Sequence, residues 1–88
     1  MPDRLATKTA EYERMLAEDC SRARVTSEGP PGPDGGPGAV LEMAEAYLED
    51  GRYFREHGDL PNALAAFAYG HGWLDAGIRM GVIVERDE

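Results

Sequence analysis

The chain has 88 residues, 42% of them hydrophobic; that suffices for one small domain that hides roughly 60–65% of its unfolded surface, and is too little to enclose a deep active site. Its 17 acidic and 9 basic residues give a formal net charge of −8, which argues against nonspecific nucleic-acid binding, since that needs a basic patch. No apolar run approaches the roughly 20 residues of a membrane span, and the Met-Pro-Asp-Arg-Leu start lacks the apolar stretch of a signal peptide, so a soluble, cytoplasmic, membrane-free protein is expected.

Residues 3–25 read as a first helix. Leu5, Tyr12, Leu16 and Ala23 fall on one face of a 3.6-residue period, and Met15 and Cys20 widen that stripe. Pro2 and Asp3 suit a helix start. Arg14, Arg22 and Arg24 are offset by Glu11, Glu13, Glu18 and Asp19, so no basic face arises. Cys20 is the sole cysteine, which excludes an internal disulfide, and on a helix it reads as a small core residue rather than a nucleophile.

Residues 27–38, S-E-G-P-P-G-P-D-G-G-P-G, form a linker with four of the six prolines and five of the eleven glycines. This run has no apolar periodicity and cannot be helical, so residues 28–37 are expected to be mobile. It carries no P-x-x-P flanked by a basic residue.

Residues 39–57 read as a second helix. Val40, Ala44, Tyr47, Gly51 and Phe54 form its stripe, widened by Leu41 and Leu48, while Glu42, Glu45, Glu49 and Asp50 take the other side. Gly51 costs about 1 kcal/mol relative to alanine, which points to a close helix contact. Gly58 supplies a left-handed stop.

Residues 59–80 read as a third helix, with Asp59 as N-cap and Pro61 in the first turn. Leu60, Ala63, Leu64, Phe67, His71, Leu74 and Ile78 trace its expected core face. Gly70, Gly72 and Gly77 together cost on the order of 2–3 kcal/mol if helical, and close approach by a neighbouring helix is the compensation expected. A second stripe, Tyr69, Trp73, Ala76 and Met80, lies on an adjoining face. Val82-Ile83-Val84 is a short apolar tail before the acidic end.

The expected fold is therefore all-α: one domain over residues 1–88, a three-helix bundle with the linker inside it. The hairpin resembles a single tetratricopeptide unit, with Gly51, Phe54, Ala63, Phe67 and Gly70 at the repeat's spacings; Asp75 replaces its closing proline, and one copy is fewer than the three that a solenoid needs. A closer resemblance rests on Met43-Ala44, Tyr47, Asp50, Tyr53-Phe54, Gly58-Asp59, Asn62-Ala63 and the string from Tyr69 to Gly77, which contains H-G-W-L-D-A-G. Over about residues 40–81 the chain resembles an uncharacterised family of small archaeal helical proteins, a domain of unknown function. The linker is longer than that family's usual connection. The resemblance implies a small helical bundle and no reaction. Lys8 is the only lysine beside eight arginines, a composition similar to that of proteins from salt-loving archaea, in which salt screens self-repulsion; the alternative is an ordinary acidic protein.

His71 and Asp75, one helical turn apart, are the candidates for ligand or metal binding, with Tyr69, Trp73, His57 and Asp59 as possible neighbours. A carboxylate there would orient the imidazole or share a metal, but two groups fall short of the three or four ligands of a metal site. Packing of His71 at the helix interface, with Asp75 as its hydrogen-bond partner, is the simpler reading. Glu42, Glu45 and Glu49 read as a solvated face. No glycine-rich phosphate loop is present, and no catalytic residue, metal or cofactor is assigned. Two functions of different class remain. The first is a noncatalytic interaction or oligomerisation module that docks another protein, or its own copy as a homodimer, through Tyr69, Trp73 and Met80. The alternative is a small enzyme or ligand-binding subunit using His71 and Asp75.

Overall fold

The computed structural model describes residues 3–26, 36 and 38–86. Three helices carry the fold: α1 (Arg4–Arg22), α2 (Gly38–Glu56) and α3 (Leu60–Arg79). A small helical bundle is thus formed, as expected. Two short strands, β1 (Ala23–Val25) and β2 (Ile83–Glu85), follow α1 and α3.

Each helix start has a local cause. The Asp3 carboxylate accepts from the Leu5 and Ala6 amides at 3.1 and 3.2 Å. Asp59 accepts from the Asn62 amide at 3.3 Å, with Pro61 in the first turn, where its missing N–H leaves no gap. Between α2 and α3 the chain reverses at Gly58, whose φ of 77° lies in the left-handed region that a side chain disfavours.

The contacts fix the helix directions. A Cβ placed on Gly51 would collide with the Phe67 ring, one on Gly70 would meet the Ala44 carbonyl, and one on Gly77 would meet Val40. Residue numbers fall along α2 as they rise along α3, so the two form an antiparallel hairpin. Leu16 of α1 then plugs the hairpin over Gly70. Glu13 clamps α1 onto α2, with its carboxylate 2.9 Å from Arg52 Nε and 2.7 Å from Arg55 Nε. The core consists of Leu16, Ala44, Leu48, Ala63, Phe67, Leu74 and Ile83. Thr9 is buried as well, its hydroxyl satisfied by donating to the Leu5 carbonyl at 2.6 Å.

Three expectations need correction. Residues 23–25 are not the end of the first helix. They pair antiparallel with β2, Ala23 opposite Glu85 and Val25 opposite Ile83. The apolar tail is accordingly a strand, and Ile83 is 1% exposed, a core residue. Ile78, placed on the core face by periodicity, is 39% exposed, because Ile83 folds back over Gly77 and fills that end of the core instead. The linker expected at 27–38, and its mobility, lie outside the described residues apart from Gly36 and Gly38. Gly36 turns with a φ of 61° and accepts from the Ala39 amide, and α2 begins at Gly38. None of the helices among the described residues is long and apolar enough to cross a membrane.

Candidate functional site

The side of α3 turned away from the core carries Tyr69, Trp73 and Met80 at 64%, 39% and 74% exposure. The helical period puts Ala68, Gly72 and Ala76 between them and the other edge of that face. Ala68, Tyr69, Gly72, Trp73 and Ala76 line a shallow groove of about 360 Å³, almost wholly apolar. The floor is low because its residues are small, and the two aromatic rings stand up as one wall. Tyr69 also leans on Tyr47 of α2, ring centroids 5.6 Å apart, and beside it a second depression opens between α2 and α3 over Phe54 and Ala65. No Asp, Glu, Lys or Arg occurs between Asp59 and Asp75. The whole free face of α3 up to Asp75 is therefore uncharged in a chain that is strongly acidic elsewhere.

His71 points the other way, into the contact with α1. Its Nε2 lies 3.3 Å from the Tyr12 carbonyl, so that nitrogen carries a hydrogen and donates it. Its ring meets the Tyr12 ring edge-on at 5.7 Å, and Nδ1 faces Asp19 at 3.9 Å. The carboxylate beside the ring thus comes from α1. Asp75 accepts from Arg79 Nε at 3.0 Å instead. His71 and Asp75 do border one small pocket of about 210 Å³, together with Asp19 and Glu85. Asp19 could not be foreseen, because 52 positions separate it from His71 in sequence and no local spacing encodes that approach. His57 and Asp59 stay with the interhelical turn: His57 Nδ1 donates to the Tyr53 carbonyl at 2.8 Å, and its ring stacks on Tyr53 at 4.1 Å.

The exposed glutamates of α2 border a third, shallow depression with Cys20 and Arg52. Burial, with Glu45 and Asp19 adding to it, pushes the Cys20 thiol up from 9.0 to about 11. At neutral pH it is held as the thiol, which is neither a good nucleophile nor a ready metal ligand. Among the described residues no group of three or more His, Cys, Asp or Glu side chains is placed to hold a metal ion.

Comparison with known proteins bears on this geometry. A family model described as a protein of unknown function, DUF357, matches residues 11–83. The crystal structure of protein AF1782 from Archaeoglobus fulgidus, assigned to the same family, is similar at a TM-score of 0.74 and 27% identity, over 93% of this chain and 93% of that one. No curated protein matches the chain.

Proposed function

The chain belongs to the DUF357 family, whose function is unknown, and from that premise we propose that it is a noncatalytic interaction module whose docking face is the free side of α3. The observation that carries this reading is the uncharged apolar groove between Ala68, Gly72 and Ala76, walled by Tyr69 and Trp73. Exposed aromatic and methionine side chains around a small-residue floor are the composition of an interface core, and a buried tryptophan is a common anchor there. Met80 extends the same face by one turn.

A photo-cross-linking residue at Ala68, in the full chain expressed in cells, tests the reading. An adduct with a protein identified by mass spectrometry is expected. It should weaken with Trp73→Ala, since loss of an interface anchor worth about 2 kcal/mol lowers affinity roughly 30-fold. Absence of any adduct, with the chain folded, would sink the proposal.

The alternative, a ligand-binding or enzymatic role for His71 and Asp75, draws support from the pocket that both border. Against it, His71 donates to the Tyr12 carbonyl and so serves the contact between α1 and α3, and Asp75 is turned to Arg79 rather than to His71.

A further inference from the structure

Resting on that reading, we infer that the occupant of the α3 face is α3 of a second copy of this chain, packed antiparallel across Gly72 in a two-fold dimer that salt promotes. Three observations on this face converge on that occupant.

The first is Gly72 itself. Glycine inside a helix is unfavourable by about 1 kcal/mol against alanine. Gly51, Gly70 and Gly77 each admit a side chain of this same chain, so their cause lies within the fold. At Gly72 a Cβ would meet none of the described residues within 4 Å. Its φ is not positive either, since among the described residues only Gly36, Gly58 and Gly81 have that conformation. Nothing among the described residues requires glycine at this position, whereas a backbone arriving against this face does.

The second is symmetry. Ala68 and Ala76 lie one turn to either side of Gly72, and Ala65 and Arg79 two turns. An isologous contact needs a patch that fits its own rotated copy. Antiparallel pairing about Gly72 sets Ala68 against Ala76 of the second copy, glycine against glycine at the axis. Tyr69 and Trp73 of each chain then close over the small residues of the other.

The third is charge. Most other faces would bring carboxylates together between two chains of net charge −8. A basic partner, drawn to the acidic surfaces, would find nothing to pair with between Asp59 and Asp75. An uncharged face identical to this one is the surface that fits it. α3 is about 30 Å long, so a single helix pair buries less than the roughly 800 Å² per partner of a standard interface. The dimer is accordingly reversible, and long-range repulsion between the two acidic bodies weighs on it. Salt shortens the Debye length from about 10 Å at 0.1 M to about 3 Å at 1 M and lifts that repulsion.

Sedimentation equilibrium of the full chain at the two salt concentrations tests the inference. The association constant should rise about five-fold or more between them. Gly72→Glu and Gly72→Arg both project into open space and should fold, which circular dichroism checks. Each alone should be monomeric where the wild type is half dimeric, because like charges meet at the axis. Mixed, the two variants should form a heterodimer. A wild type that stays monomeric at millimolar concentration in both salts, a dimer weakened by salt, or a dimer indifferent to Gly72→Glu would each overturn the inference. A monomeric wild type whose Ala68 probe still captures an identified different protein would overturn the second copy alone and leave the interaction reading standing.

Discussion

At Gly70 a Cβ would stand 2.5 Å from Leu16 Cδ2 and 3.3 Å from the Ala44 carbonyl oxygen, and at Gly77 it would stand 2.7 Å from Ile83 Cδ1. The absent side chains let α1, α2 and β2 press onto the α3 backbone, and dispersion contacts across those seams offset the poor helix propensity of glycine. Two residues from Gly70 the same residue type meets none of the described residues. The contrast makes a paired prediction. Gly70→Leu should destabilise the chain by about 1–3 kcal/mol or more through overpacking. Gly72→Ala should stabilise the monomer by about 0.5–1 kcal/mol, because a helical position gains propensity and no neighbour is displaced. Urea unfolding at low protein concentration reads both. A neutral Gly70→Leu would mean that Leu16 does not seal the hairpin there.

The helices were legible because each one's apolar stripe recurs at the helical period and because Gly58 and Asp59 punctuate the turn between α2 and α3. The β1–β2 ladder was not. Ala23 continues the stripe of α1, and Val82-Ile83-Val84 is too short to show alternation. What makes both segments strands is their pairing across 62 positions, Ala23 with Glu85, and tertiary pairing of that kind overrides local preference. The ladder continues beyond its strands through the Thr26 amide to the Val82 carbonyl at 3.0 Å and the Arg86 amide to the Arg22 carbonyl at 2.9 Å. The same non-local cause hid Asp19 as the neighbour of His71, whereas the stripe of Tyr69, Trp73 and Met80 could be read from α3 alone. The ladder also gives the tail a structural task, since it holds Ile83 against Gly77 at the open end of the bundle. Ile83→Ala should therefore cost about 2–4 kcal/mol, the range for a large side chain removed from a packed core. Chemical denaturation of the variant against wild type measures it, and a loss below about 0.5 kcal/mol, the range of surface substitutions, would show that the strand does not close the core.

At the scale of the whole molecule the governing property is its acidic charge. A net charge of −8 is spread over 88 residues, and among the described residues the pairs Arg14 with Glu18, Arg22 with Asp19 and Arg79 with Asp75 each lie within one helix. Such exposed, intrahelical pairs add little to stability. Glu13 with Arg52 and Arg55 crosses from α1 to α2, and its carboxylate is better shielded. The acidic face of α2, Glu42, Glu45 and Glu49, lies exposed on one side of that helix. Folding therefore concentrates like charge, and its self-repulsion opposes the compact state until salt screens it. We propose adaptation to high salt on this ground. The melting temperature of the monomer should rise as KCl increases from about 0.1 M to about 2 M, over which the screening length falls several-fold. Salt also strengthens burial of apolar surface in every protein, so the rise alone would not assign the cause. The discriminating variant changes Glu42, Glu45 and Glu49 to glutamine together. It should melt higher than wild type at low salt and respond less to added KCl, the two curves converging at the high end. An unchanged salt response in that variant would place the effect in apolar burial rather than in charge, and Gly72→Glu run alongside keeps both chains monomeric so that dimerisation does not enter the comparison.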